Sequence, residues 1–89
     1  MALFKTGALV ATPAALKLLQ EHNIAPIQLL SRHIGGDWGD LDEDDVKANV
    51  NAIQHNMRIL SSYKVAQEKV WIITESDRSA TTILLPEDY

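Results

Sequence analysis

The chain has 89 residues, 46 % of them apolar, no cysteine and a formal net charge of −4. That length holds one hydrophobic core and a single domain over 1–89, and the missing cysteines exclude disulfides, thiolate metal sites and cysteine nucleophiles. The eight Lys and Arg are scattered, no two adjacent, which argues against a nucleic-acid binder, since such proteins gather positive charge on one face.

No apolar run exceeds four residues, far short of the roughly 20 that cross a bilayer. The N-terminal Met1-Ala2-Leu3-Phe4-Lys5 has no long apolar stretch of the kind a secretory leader carries. These features predict a cytoplasmic protein with no membrane contact.

Residues 6–11 read as a short strand. Thr12 then suits an N-cap and Pro13 the first helical position, where a missing N–H is harmless. A helix is expected to His22, with Leu16 and Leu19 on one face beside Ala15 and Leu18, and Asn23 in a left-handed conformation at its end. Ala25-Pro26 repeats the start signal. The second helix, 26–34, is expected to bury Ile27, Leu30 and Ile34, and to stop at a left-handed Gly35.

Val46, Val50, Ile53, Met57 and Leu60 follow at steps of four, three, four and three. This spacing predicts a third helix of about four turns, capped by Asp42, with one apolar stripe turned inward. Lys47, Asn49, Asn51, Gln54 and Arg58 lie off the stripe and are expected to face water. Ser61-Ser62 is read as the end of this helix.

The remainder reads as β-structure: 63–66, a turn at Gln67-Glu68, Val70–Glu75, a turn at 76–79, and Ala80–Leu85 closed by Pro86. The expected class is α+β, in the order β-α-α-α-β-β-β. Three helices would pack on one face of a 3–4-stranded antiparallel sheet.

Six of the twelve acids lie in residues 37–45: Asp37, Asp40, Asp42, Glu43, Asp44 and Asp45. Acids in a first helical turn offset the positive end of the helix dipole, which accounts for Asp42 to Asp45. The surplus at Asp37 and Asp40 suits a contact with a basic protein. Asp40, Asp42 and Asp44 alternate as in a calcium loop, but the glycine and the distal Glu of such a loop are missing. No metal or cofactor is expected. Trp38, set among these acids, is read either as core or as a binding anchor.

His33 stands next to Arg32 and four residues before Asp37, so a His–carboxylate acid–base pair is one reading and a helix-end histidine the other. No nucleophile motif or phosphate loop completes a mechanism. Glu75, Asp77 and Arg78 cluster at the last turn and form a secondary candidate surface. The candidate binding residues are therefore Arg32, His33, Asp37, Trp38, Asp40, Asp42 and Asp44.

Three segments carry a resemblance: Ala11-Thr12-Pro13-Ala14-Ala15-Leu16, then Arg32-His33 with Gly36-Asp37-Trp38-Gly39-Asp40-Leu41, then Ile72 to Thr82 with Leu84-Leu85-Pro86. Over nearly its whole length the chain resembles a family of small proteins of bacterial plasmids and integrative elements. Its members often bear the name type I restriction endonuclease subunit M. That name cannot be literal here, because a modification subunit is several times larger and needs an S-adenosylmethionine fold. The resemblance implies a mobile-DNA setting, in which small proteins act as regulators, toxin–antitoxin parts or inhibitors of host defence of the anti-CRISPR or anti-restriction type. The leading expectation is a non-enzymatic protein-binding protein whose partner has a basic surface. The alternatives are a small hydrolase or ribonuclease-type toxin built on His33, Asp37, Glu75 and Arg78, or a homodimeric regulator.

Overall fold

The computed structural model describes residues 2–89. Along the chain lie β1 (Ala8–Ala11), α1 (Pro13–Glu21), α2 (Pro26–Ile34), α3 (Glu43–His55), β2 (Ile59–Val65), β3 (Glu68–Thr74) and β4 (Ala80–Leu84), followed by a 3-10 turn at Pro86–Asp88. The class is α+β, as expected. The sheet is mixed rather than wholly antiparallel. Its spatial order is β1-β4-β3-β2, with β1 parallel to β4 and the other two pairings antiparallel. Three helices separate β1 from β2, so no hairpin forces β1 to run antiparallel to a neighbour.

The helix starts follow the local chemistry. Thr12 Oγ1 accepts from Ala15 N at 3.2 Å, and Asp42 Oδ1 accepts from Asp45 N at 2.9 Å. Ala25 lacks a capping side chain, and its N–H instead donates to Gln28 Oε1 at 2.7 Å. Caps of this kind contribute about 1 kcal/mol each. Asn23 is left-handed, with φ 56°.

Helices α1 and α2 supply Ala15, Leu18, Leu19, Leu29 and Leu30 to the main core, against Tyr63, Val65, Val70, Ile72 and Ile83 from one face of the sheet. Each large side chain so buried contributes about 1.5–3 kcal/mol. Toward β2, α3 closes a second cluster of Trp38, Ala52 and Ile59 with Phe4, Leu41 and Ile53. The opposite sheet face carries Trp71, Ile73 and Leu84, of which Ile73 and Leu84 are buried. Tyr89 stands edge-on to Trp71 there, with ring centroids 6.1 Å apart, and Arg58 Nη1 donates to the Tyr89 hydroxyl at 2.6 Å.

Several expected burials are corrected. Leu16 is exposed while Ala15 beside it is sealed, and α2 buries Leu29, Leu30 and His33 and leaves Ile27 at the surface. Gly35 has an ordinary φ of −91°, and it is Gly36, at φ +90°, that turns the chain. The largest correction concerns α3. Left-handed Asn56 (φ 52°) ends it after His55, so Met57 lies beyond the helix and Leu60 belongs to β2. The helix buries Asn49 and Ala52, while Val46, Val50 and Met57 of the apolar stripe are exposed. Asn49 faces inward because its carboxamide bonds the outer edge of β2, donating to Leu60 O at 2.6 Å and accepting from Leu60 N at 3.1 Å. Ser61 and Ser62 accordingly lie inside a strand, both buried.

Candidate functional site

The segment joining α2 to α3 is pinned at several points. Arg32 forms a two-pronged pair with Asp37, Nε to Oδ2 at 2.7 Å and Nη2 to Oδ1 at 3.3 Å. The pair is exposed on both sides. The Arg32 hydrogen bond holds the Asp37 carboxyl below its usual range, and Asp37 in turn raises Arg32. The guanidinium lies 4.6 Å from the Tyr63 ring centroid. Tyr63 donates its hydroxyl to Asp37 O at 2.7 Å, and burial pushes this phenol up to about 12.

Beyond Asp37 the chain pairs with the outer edge of β2. Ser62 N donates to Trp38 O at 3.1 Å, and Asp40 N donates to Ser62 O at 2.6 Å. Gly39, at φ +74°, lies between them, and any Cβ there would collide with Ser62 O and the Tyr63 ring. Trp38 is 9 % exposed and packs with Ala52 and Ile59. Its indole belongs to the core and is not a surface anchor.

The carboxylates of Asp40, Glu43, Asp44 and Asp45 are exposed and have no hydrogen-bond or ion-pair partner among the described residues. Asp42 is engaged as the cap of α3. Among the described residues no group of three or more His, Asp or Glu side chains is arranged to hold a metal ion. Glu43, Val46 and Val50 recur at helical spacing along α3, and Val46 and Val50 are 37 % and 48 % exposed. Unpaired negative charge therefore adjoins an apolar ridge on one surface.

His33 is elsewhere in character. It is 0 % exposed, beneath the edge of the Phe4 ring, whose centroid is 5.2 Å away. Its Nδ1 meets Ser61 Oγ at 2.5 Å and its Nε2 meets Thr74 Oγ1 at 2.9 Å. Thr74 Oγ1 is 2.7 Å from Thr81 Oγ1, which donates to Thr6 O at 2.8 Å. Burial lowers the His33 pKa to about 4. Neighbouring in sequence, His33 and Asp37 do not pair, because Asp37 is turned outward to Arg32.

The secondary surface is a clamp. Arg78, at φ 59°, sends Nη2 to Ala52 O (2.9 Å) and Nη1 to Met57 O (2.6 Å) and Glu75 O (3.1 Å). It thereby ties the β3–β4 turn to Ala52 O in the last turn of α3 and to Met57 O just beyond the helix. Asp77 Oδ1 accepts from Ser79 N at 3.0 Å, a turn bond, and Ser79 holds the Asp77 carboxyl below its usual range. Glu75 lies 3.5 Å from Arg58.

Of the candidate residues, then, Arg32, Asp37, Asp40, Asp42 and Asp44 are exposed, whereas His33 and Trp38 are inside. The spacing of Val46 and Val50 predicts core positions, and the structure places both at the surface. The competing signal was the run Asn49, Ala52 and Asn56, a second helical phase of small and polar residues. No family model, curated protein or solved structure matches the chain.

Proposed function

We propose that the chain is a non-enzymatic binding protein that docks a basic protein surface onto the Asp37–Val50 region. The observation that carries this reading is the unpaired carboxylate set of Asp40, Glu43, Asp44 and Asp45 beside the exposed Val46 and Val50. Charge of one sign next to apolar area supplies both steering and desolvation on contact. The burial of His33 weighs against general acid–base chemistry, since its ring nitrogens are already committed to Ser61 and Thr74. The sequence resemblance supports a setting in bacterial mobile elements, in the cytoplasm, with a host defence complex of the restriction or CRISPR type as the class of partner.

The test is affinity capture from host lysate with wild type and with Asp40→Asn/Glu43→Gln/Asp44→Asn, a variant that spares the Asp42 cap. A partner retained by wild type, released by added salt and lost by the variant supports the reading. The same partners on both proteins, or none, would refute it.

A further inference from the structure

We propose that β1 is a self-association edge, and that two copies join through antiparallel β1–β1 pairing into one continuous eight-stranded sheet. The two edges of the sheet differ. On β2 the outward backbone groups of Leu60 are filled by Asn49 and those of Ser62 by Trp38 and Asp40. On β1 nothing comparable occurs among the described residues. Ala8 N and Thr12 N donate inward to Ser79 O and Ile83 O at 3.0 and 2.9 Å. Alternation along the strand therefore turns the N–H and C=O of Leu9 and Ala11 outward. Leu9 and Val10 are 57 % and 49 % exposed, one toward each face.

Soluble proteins blunt a free edge with charged side chains, proline or a bulge. Residues 8–11 are Ala-Leu-Val-Ala, and from residue 2 to residue 16 the single charge is Lys5. The strand is also self-complementary. A two-fold axis at Val10 sets Leu9 opposite Ala11 of the second copy, and each such pair exchanges two hydrogen bonds. Val10 then faces its own copy in the non-hydrogen-bonded position, with Cα atoms about 4.5 Å apart. Charge favours a second copy as the occupant. The acidic Asp37–Asp45 segment adjoins β2, at the far edge of the sheet, so pairing at β1 keeps the two negative regions apart. This surface lies opposite the proposed docking region, so either proposal can fail alone.

The experiment is sedimentation equilibrium of the full chain at micromolar concentration, with wild type and Val10→Lys, joined to mild oxidation of Val10→Cys and Ala8→Cys in this cysteine-free background. Wild type is expected at twice 9.9 kDa and Val10→Lys, its lysines apposed, at the single mass. Val10→Cys is expected to cross-link, because that Cα spacing suits a disulfide, while Ala8→Cys stays unlinked. A wild type of single mass overturns the proposal, as does a dimer that survives Val10→Lys or equal cross-linking at both positions. So does a monomer whose Leu9 and Ala11 amides gain exchange protection only with a captured partner, which would assign the edge to that partner.

Discussion

The Asn49 side chain stands in for a strand at Leu60. Its carboxamide makes to one residue the two hydrogen bonds that a neighbouring β-strand would make, at 2.6 and 3.1 Å. This places α3 along the β2 edge and rotates Val46 and Val50 toward solvent. One buried amide thus closes the β2 edge at Leu60, as Trp38 and Asp40 close it at Ser62, and sets which face of the helix is free.

Replacing Asn49 by Leu keeps the volume and removes both bonds. Leu60 N–H and C=O are then left partly buried without partners, at a cost of about 1–3 kcal/mol each. The urea midpoint should fall with an unchanged slope. Asn49→Asp keeps the acceptor for Leu60 N but turns a carboxylate toward Leu60 O, so its deficit should shrink in acid, when the carboxyl regains a donor. An Asn49→Leu protein as stable as wild type would remove Asn49 from this role.

The buried hydroxyl chain assigns the His33 tautomer. Thr81 must donate to the Thr6 carbonyl, so Thr74 donates to Thr81 and His33 Nε2–H donates to Thr74. Nδ1 is left to accept from Ser61. The folded state thus holds His33 neutral, with a pKa near 4 against an ordinary 6.5. The unfolded chain takes up the proton first, so stability is full above 6.5, falls as the pH drops toward 4 and levels off below. Over that window the loss is on the order of 3 kcal/mol. Denaturation midpoints across this range should slope for wild type and lie flatter for His33→Gln. A nitrogen-correlated spectrum should show the proton on Nε2, and a proton on Nδ1 would reverse the chain.

The parts legible in the sequence were local. Thr12-Pro13, Asn23, Pro26 and the Asp42-to-Asp45 cap each act within one turn of backbone, and each occupies the position its chemistry requires. The long-range parts were not legible. Val46, Val50, Ile53, Met57 and Leu60 fit a helical period, yet period alone does not say which face meets the protein. The Asn49–Leu60 pairing chose the other phase, and Asn56 broke the stripe before Leu60. The β1–β4 pairing joins residues about 70 apart in the chain, and no local signal carries that register. For the site, the exposed acids were readable from charge density, whereas the burial of His33 and Trp38 depended on neighbours from distant strands.

Arg78 should behave as a structural clamp. Arg78→Ala removes charge-assisted bonds to Ala52 O, in the last turn of α3, and to Met57 O just beyond the helix, leaving Ala52 O to the backbone N–H groups of Asn56 and Met57. The expected cost is about 1.5–3 kcal/mol, and Arg78→Lys should recover only part of it, because an ammonium cannot fork between the two carbonyls. Hydrogen exchange should accelerate at the β3–β4 turn and at Met57 N, whose acceptor is Ala52 O. Unchanged exchange there would free Arg78 for a surface role.

Ala66 offers a gain. It begins the two-residue Ala66-Gln67 connection between β2 and β3 with φ 56°, where a Cβ crowds the adjacent carbonyl oxygen at a cost of about 1–2 kcal/mol. Glycine adopts this conformation without that clash but loses more entropy on folding, which offsets roughly 0.5–1 kcal/mol. Ala66→Gly should therefore stabilise by a fraction of a kcal/mol to about 1 kcal/mol, raising Tm by up to roughly 4–8 °C for a domain of this size. The residue is exposed at the β2–β3 turn and belongs neither to the Asp37–Val50 segment nor to β1. Partner capture and self-association should both be unchanged. Calorimetry of the variant reads the result, and a lowered Tm would mean that Ala66 carries no strain in the folded chain.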